Sequence, residues 1–367
     1  MAYSDNFVAD LLVLVTDLVS GEKMEMSELL YAKSFMDSDI AESNEIVTGV
    51  RHGNVVPILK DIPQPETFAF VDETSCAVTD TPVTNTFASH TWELGLIEAR
   101  VGICLRSFNE NFLKFFNAYR NTQAGGEPVN LDSALLQFIS GKFTKNLSLA
   151  TWRASYFSDK ASASIYFDKI DGIFTQMEAN AGQVITITQN AQATYALQLS
   201  TLGGEDVYNY LVAMYDLAAT QPWFDDSIME YRLTRTMSTK LVSWLNAQGD
   251  KAPMNCACID AASAVLTRAY RVEGLTLNGI PVLTHNEFDD IINYSTELNG
   301  GGGVAARVNP HRAILTYREN ILIGTSETAA LNSFDIWHSK DDKKVYIEGS
   351  SYVGGGVPLV DEYVLAI

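Results

Sequence analysis

The sequence predicts an α+β fold, and three patterns along the chain carry this prediction. The longest helical pattern follows Asn130, a good N-cap, and its apolar residues recur at three-to-four spacing to about Ser155. The stretch "EARVGIC" alternates apolar and polar residues with the period of a half-buried strand. Residues 203–248 give a helix, a strand and a helix in succession, which is typical of helices packed on a sheet.

Composition and charge narrow the class of protein. The chain has 367 residues and is 47% apolar, which is ample for a buried core. It carries 25 Lys and Arg against 45 Asp and Glu, a net charge of −20, which disfavours nucleic-acid and anionic-membrane binding. The densest group of lysines, Lys340 to Lys344, contains two aspartates. We therefore expect neither specific nucleic-acid recognition nor membrane association.

No pattern in the sequence is typical of a catalytic, metal or cofactor site. The four cysteines are too few for a disulfide framework, and the five histidines are scattered singly without zinc spacing. The run Gly300 to Gly303 lacks the Lys-Ser/Thr of a phosphate-binding loop, and neither a G-x-S-x-G nor a G-x-G-x-x-G turn occurs. The sequence predicts a protein that is not an enzyme and that uses no cofactor or metal.

The first ninety residues differ in character from the rest. Residues 1–48 have a helical pattern that is interrupted at Ser20 and Gly21, which predicts an N-terminal arm. Four prolines then interrupt short β-type runs between Val50 and about His90. Because proline excludes a helix and a central strand, we expect an extended hairpin or loop of about 40 residues with a functional or partner-binding role.

The stretch "NPHRAILTYRENILIGTSE", residues 309–327, brings His, Arg and Glu close together in sequence. It allows two interpretations: a catalytic cluster in the His311–Glu327 region of an α/β enzyme, or two short strands joined at Arg318 to Asn320. In a hairpin, His311 and Arg312 lie at one end and Arg318 and Glu319 at the other. The sequence favours the second interpretation, with the charges as polar caps or as contacts between subunits. It also predicts that Arg312 and Arg318 pair with carboxylates, on their own or a neighbouring chain, and do not converge with His311 on a pocket.

The remaining strands are predicted toward the C-terminus. They are "GIPVLTH", "RAILTY", "NILIG", "FDIWHS", "KKVYIEG" and "VPLVDEYVLAI", with "SKDDKK" as a hairpin turn between the fourth and the fifth.

The order of these elements resembles the major capsid proteins of tailed bacteriophages, the Hong Kong 97-like fold family. The similar segments, in chain order, are "WELGLIEARVGICLRSFNENFLKFF", "NLDSALLQFISGKFTKNLSLATWRAS", "IDGIFTQM", "LNGIPVLTH", "HRAILTYRENILIGTSE" and "FDIWHSKDDKKVYIEGSSYVGGGVPLVDEYVLAI". Each segment is weak evidence alone, and their collinearity over nearly the whole chain carries the resemblance.

The resemblance implies a domain organisation. The implied parts are an N-terminal arm (1–49), an extended loop (50–93), a peripheral domain (94–181) with a spine helix (131–155), an axial domain (182–333), a peripheral-domain hairpin (334–352) and a C-terminal strand (353–367).

The resemblance also implies a function and partners. The chain would self-assemble as pentamers and hexamers into an icosahedral or prolate shell around double-stranded DNA, which it would meet by non-specific proximity only. Further implied partners are a portal protein, a separate scaffolding protein, and decoration or head-fibre proteins. The protein would be located in the virion capsid after assembly in the host bacterial cytoplasm. An encapsulin-like compartment shell is the alternative with the same fold.

Five charged residues are candidate contacts between subunits: Lys60, Arg51, Arg312, Arg318 and Glu319. Some relatives cross-link a loop lysine to an asparagine with the help of a glutamate, and Lys60 is the one lysine in the extended loop. We expect Lys60 to be solvated or salt-bridged instead of cross-linked.

Overall fold

The structure, a computed structural model, describes residues 20–32, 35, 39–60, 86–104, 131–248, 255–256, 275–328, 330–339 and 344–367. Its helices are α1 (Ser20–Tyr31), α2 (Asp39–Ser43), α3 (Leu131–Phe157), α4 (Ile173–Glu178), α5 (Tyr195–Thr201), α6 (Gly204–Ala219), α7 (Arg235–Gln248) and α8 (Asn286–Tyr294). Its strands are β1 (Glu45–Val47), β2 (Val55–Lys60), β3 (Thr86–Thr91), β4 (Gly95–Cys104), β5 (Val184–Ile185), β6 (Met229–Thr234), β7 (Asn255–Cys256), β8 (Leu275–Leu277), β9 (Ile280–His285), β10 (Ala313–Tyr317), β11 (Leu322–Thr325), β12 (Ser333–Ser339), β13 (Lys344–Gly356) and β14 (Val364–Ala366). The predicted α+β class is confirmed.

The chain divides into two compact units. The first contains the described parts of Met1–His52, Glu93–Gly172 and Leu322–Gly355, and the second those of Gly53–Trp92, Ile173–Ile321 and Gly356–Ile367. In this division residues 322–333 belong to the first unit, and the domain boundaries implied by the resemblance, including 182–333, remain a prediction.

The first unit is built on a five-stranded sheet. Its order is β1-β11-β13-β12, and β4 pairs antiparallel with β13 over ten residues. The hairpin of β12 and β13 has the predicted antiparallel pairing, and residues 340–343 of its turn lie outside the described residues.

The long helix α3 supports this sheet. At 1.5 Å per residue its 27 residues span about 40 Å. Its apolar residues Phe143 and Leu147 are buried, and the Phe143 ring lies edge-on to Phe334 of β12 with the ring centroids 6.1 Å apart. The helix was predicted to end near Ser155 and ends at Phe157, while its predicted cap Asn130 lies outside the described residues.

The N-terminal segment packs on its own chain. β1 pairs in parallel with β11, Tyr31 and Ile40 are buried, and the Tyr31 hydroxyl donates to the carbonyl of Glu327 over 3.0 Å. The described part of residues 1–49 therefore packs within the first unit, and the assignment of an N-terminal arm remains a prediction. Residues 1–19 of the prediction lie outside the described residues.

The second unit is built on a seven-stranded sheet. Its order is β5-β14-β10-β6-β9-β8-β7, with parallel pairing of β6 to β9 and of β5 to β14. Helices α6 and α7 pack on it through buried residues at helical spacing, including Val207, Leu211 and Leu241. α7 begins at Arg235, where the Asp289 carboxylate accepts the Arg235 backbone N–H over 2.6 Å. The predicted helix, strand and helix over 203–248 are all present.

The strands β10 and β11 are present as predicted but do not form a hairpin. β10 pairs with β6 and β14, whereas β11 pairs with β1 in the other sheet. The turn Arg318–Asn320 is a 3₁₀ turn that carries the chain from one sheet to the other. The predicted pairing was wrong because each strand finds a buried partner elsewhere in the chain, which local sequence spacing does not reveal.

The C-terminal strand is shorter than predicted. Only Val364–Ala366 of "VPLVDEYVLAI" pairs, and all three residues are fully buried between β10 and β5.

The described part of the extended loop is a hairpin. β2 and β3 pair antiparallel over six residues and form a two-stranded sheet separate from the two larger sheets. Residues 61–85, between these strands, lie outside the described residues.

None of the helices in the described ranges is long and apolar enough to cross a membrane.

A matched pair of glycine substitutions tests the helix packing. A Cβ at Gly204 would lie 2.3 Å from the Lys240 carbonyl oxygen, so Gly204→Ala should destabilise the protein by about 1–3 kcal/mol. A Cβ at Gly141, inside α3, meets no atom within 4 Å, so Gly141→Ala should stabilise it by about 0.5–1 kcal/mol. Urea unfolding followed by circular dichroism measures both, and an unchanged midpoint for Gly204→Ala would contradict the close approach of α6 and α7.

Candidate functional site

The charged residues of 309–320 lie at opposite ends of β10. His311 and Arg312 precede the strand, and Arg318 and Glu319 follow it. At about 3.3 Å per residue the two groups are about 20 Å apart along the chain. The structure therefore does not bring Arg318 and Glu319 together with His311.

His311 is completely buried and bonded to the backbone. Its Nε2 lies 3.0 Å from the carbonyl oxygen of Gln198, which requires the ring proton on Nε2. Burial lowers the pKa of His311, and the bond to Gln198 opposes this shift. The ring is neutral at pH 7 and serves as a hydrogen-bond donor in the interior.

Two side-chain amides hold the segment that leads into β10. Asn190 accepts the His311 N–H over 3.0 Å and donates to the His311 carbonyl over 2.9 Å. Gln198 accepts the Arg307 N–H over 3.0 Å and donates to the Arg307 carbonyl over 2.9 Å. Each side-chain amide thus bonds both the backbone N–H and the backbone C=O of one residue, as a neighbouring β-strand would. We call Asn190, Gln198, Arg307 and His311 the amide clasp.

Arg312 is buried and contacts residues of its own chain. Its Nε donates to the Asn309 carbonyl over 2.9 Å, its guanidinium carbon lies 4.6 Å from the Phe174 ring centroid, and Nη1 lies 4.0 Å from Oε1 of Glu178. Burial lowers the pKa of Arg312 to about 10, so the guanidinium remains charged at neutral pH. The predicted carboxylate partner is Glu178, at the limit of an ion pair. A 5% exposed side chain leaves little surface for a contact with a second subunit.

The other predicted contact residues are placed differently. Arg51, Arg318 and Glu319 are exposed. Lys60 ends β2, where its backbone is paired with Thr86 of β3.

Asn320, inside the 3₁₀ turn, ties the turn to the segment before β14. Its Nδ2 donates to the carbonyls of Leu359 and Glu362, both over 3.1 Å, and its Oδ1 accepts the Leu359 N–H over 2.8 Å. The side chain is fully buried. Asn320 therefore orders a C-terminal segment that has no regular structure of its own.

Glu327 is a buried carboxylate within the first unit. Its Oε2 accepts from the hydroxyls of Thr325 and Ser351, and its Oε1 accepts the Tyr352 N–H over 3.0 Å. Burial raises the pKa of Tyr31 to about 12, and the Glu327 carboxylate contributes to this shift as the smaller cause. The described contacts of Glu327 are those of a buried group that joins strands, and none of them involves His311.

An ordered loop with an exposed apolar tip follows α3. The loop is closed by backbone bonds from Asp159 to Phe167 over 2.9 Å and from Gly172 to Ser158 over 2.7 Å. Ile165 and Tyr166 at its tip are nevertheless 72% and 62% exposed. Large apolar side chains held outward by an ordered loop are typical of an interaction surface. We call Ile165 and Tyr166 the apolar tip.

The described residues contain no group of three or more His, Cys, Asp and Glu side chains that could hold a metal ion.

Sequence reasoning missed the amide clasp and Asn320. Only Gln198 could have been noticed in the sequence. It is a polar residue among the apolar residues of "YALQLST", and a buried polar side chain on a short helix needs a hydrogen-bond partner. Asn190 and Asn320 lie in turns, where asparagine is ordinary, and they carry no such signal.

No family model matches the chain, and no curated protein matches its sequence. Among solved structures, the chain is similar to a chain of the satellite phage P4 procapsid, with 12% identity, a TM-score of 0.49, and coverage of 93% of this chain and 97% of that one. It is similar to the capsid of cyanophage P-SCSP1u, with 13% identity, a TM-score of 0.42, and coverage of 90% and 88%. It is also similar to the virus-like particle from Pyrococcus furiosus, with 8% identity, a TM-score of 0.42, and coverage of 94% and 100%.

A substitution at Asn320 tests the link to the C-terminal segment. Asn320→Asp replaces the Nδ2 donor by an oxygen that faces the Leu359 and Glu362 carbonyls, so stability should fall by about 2–3 kcal/mol at pH 7. Glu319→Gln, at the exposed neighbouring position, should change stability by less than about 0.5 kcal/mol. Urea unfolding measures both, and equal midpoints for the two variants would contradict the assigned role.

Proposed function

We propose that the chain is the major capsid protein of a tailed bacteriophage, which self-assembles as pentamers and hexamers into the shell around double-stranded DNA. The proposed location is the virion capsid, after assembly in the host cytoplasm. A portal protein, a separate scaffolding protein and decoration or head-fibre proteins are the proposed partners.

The observation that carries the proposal is the β2–β3 hairpin. Its two strands pair only with each other among the described strands, and Val55 is 59% exposed on it. A two-stranded sheet is marginally stable in water and gains stability when an apolar face is covered. A neighbouring copy of the chain is the proposed cover, because a contact between different patches repeats around a ring and closes a shell.

Two further features support a shell subunit. The apolar tip presents Ile165 and Tyr166 on an ordered loop of the first unit, separate in sequence from the hairpin. A subunit with at least two exposed apolar surfaces can contact more than one neighbour. The net charge of −20 disfavours adhesion of the packaged DNA to the inner wall.

The collinear sequence resemblance supplies the specific identity within this proposal. Along the chain the long helix α3 is followed by β9, by β10, by the β12–β13 hairpin and finally by β14. This is the order that the resemblance implies. Among the candidate contact residues, Arg51, Lys60, Arg318 and Glu319 are retained as proposed contacts between subunits. Arg312 is not retained, because its guanidinium is buried against its own chain.

Self-assembly of the purified chain tests the proposal. Size-exclusion chromatography should place the protein in the void volume, and negative-stain microscopy should show closed, hollow particles. A scaffolding protein is supplied in a second preparation if the chain alone gives only rings. A soluble monomer in both preparations, at all protein concentrations, would refute the proposal.

A charge placed on the hairpin should weaken assembly. Covering a valine contributes about 1.5–3 kcal/mol, so Val55→Asp should raise the protein concentration needed for assembly at least about tenfold. Ser89→Asp adds the same charge to an exposed position of β3 and should have a smaller effect, since it removes no apolar contact. Light scattering against protein concentration gives both values, and identical curves for the two variants would argue against burial of Val55.

The encapsulin-like alternative also predicts closed particles. The contents of particles purified from the native source separate the two functions: nuclease-protected double-stranded DNA supports the phage capsid, and an enclosed protein cargo supports the compartment.

A further inference from the structure

The buried ring of His311 has one satisfied nitrogen and one unsatisfied nitrogen. Nε2 donates to Gln198, whereas Nδ1 has no hydrogen-bond partner among the described residues. In the neutral ring Nδ1 is an unpaired acceptor, which carries the desolvation cost of one neutral polar group. A second proton on Nδ1 would create a buried cation with an unsatisfied donor, which is far more costly.

The amide clasp connects this ring to an exposed loop. The residues between α8 and β10, numbers 295–312, contain four consecutive glycines, and we call residues 295–310 the glycine loop. All four glycines have positive φ, between 64° and 86°. Gly301, Gly302 and Gly303 have no neighbouring atom within 4 Å of a built Cβ, and Val304 beside them is 82% exposed.

The amide clasp contributes to holding the C-terminal half of the glycine loop. Gln198 holds Arg307, Asn190 holds the residue that follows the loop, and the Arg307 guanidinium lies 3.7 Å from the Tyr195 ring centroid. Further ties are the Val308 N–H to the Leu298 carbonyl, a single bridge between Thr194 and Ala305, a bond from Arg307 Nη1 to Oδ1 of Asn293, and the bond from Arg312 Nε to the Asn309 carbonyl. Gln198 takes part in both the loop contact and the His311 contact, so the two are coupled.

We propose that His311 is an acid-operated latch, which holds the glycine loop closed while its ring is neutral and releases the loop when Nδ1 is protonated. This inference concerns the single chain and does not depend on shell assembly.

The charges around His311 favour release in acid. Lys240 of α7 lowers the pKa of His311 in addition to burial. The other cations nearby in sequence, Arg307 and Arg312, lie on Tyr195 and Phe174, and the carboxylate of Glu178 faces Arg312 at 4.0 Å. α5, whose Gln198 carbonyl accepts from the ring, contains Tyr195 as its only ionisable side chain, and α7 contains Arg235 and Lys240. The turn 188–191, whose Asn190 bonds the His311 backbone, contains none.

The direction of the pH dependence follows from the lowered pKa. The closed state has a His311 pKa below the ordinary value, and the open state has the ordinary value of about 6.5. The closed state is therefore fully favoured above about pH 6.5 and loses stability as the pH falls below it. Within the interval between the two pKa values, each pH unit increases the open population by up to about tenfold.

Hydrogen–deuterium exchange of the full chain tests the latch. After correction for intrinsic rates, peptides covering 295–311 should exchange severalfold to tenfold faster at pH 5.0 than at pH 7.5. Peptides from α6 should not change. Light scattering at both pH values confirms that the state of assembly is the same.

A matched pair of variants identifies the responsible ring. His311→Gln retains an N–H donor but cannot be protonated, so the acid-dependent increase should be lost. His52→Gln, at an exposed position, should respond as the wild type does. An equal acid response in His311→Gln, or no response in the wild type, would overturn the proposal.

A direct measurement covers the case in which His311→Gln perturbs the fold. Exchange of the histidine C2 hydrogen, followed by mass spectrometry across pH, reports the pKa of each histidine in the wild-type chain. The midpoint for His311 should lie below the ordinary histidine value of about 6.5, and a midpoint at or above that value would overturn the proposal.

Discussion

The structure depends on one requirement: buried backbone must have its N–H and C=O groups bonded, even where the chain is neither helix nor strand. This protein buries several irregular segments, and it satisfies them with side-chain amides. Asn320 bonds the segment before β14, Asn190 bonds His311, and Gln198 bonds Arg307. Without these amides the ends of β10 and β14 would carry unpaired polar groups in the interior.

The same requirement explains why the His and Arg residues beside β10 do not form a reactive cluster. His311 and Arg312 direct their donors to backbone carbonyls of Gln198 and Asn309. Both groups are used to bond the chain where a turn enters the sheet. Arginine serves this purpose well, because its guanidinium combines several donors with a flat face that packs on Phe174.

Periodicity was sufficient to predict elements whose two faces differ in environment. The alternation in "EARVGIC" located β4, and the pattern of residues 203–248 predicted the helix α6 at the start of that range. Periodicity does not specify which strands pair, and for this reason the predicted pairing of β10 with β11 was wrong. The apolar strand "NILIG" fits any sheet with a free edge. Its actual partner, β1, lies about 275 residues earlier in the chain. The amides escaped prediction for a related reason, since a polar residue in a turn has the same appearance whether it faces water or a buried carbonyl.

Tertiary contacts stabilise the described part of the N-terminal segment. Tyr31 and β1 contact residues near 325. The helix α1 is short and weakly amphipathic in sequence, and its stability comes from these distant contacts.

The position of β14 has a consequence for biosynthesis. This strand lies between β5 and β10 in the sheet, and the N–H of Ile367 donates to the Ile185 carbonyl over 2.9 Å. During translation β5 therefore stays separate from β10 until residues 364–367 have left the ribosome. Completion of the seven-stranded sheet requires pairing across about 180 residues of chain. Contacts of such long separation form slowly. Nascent chains that have not yet released β14 therefore lack a finished second unit.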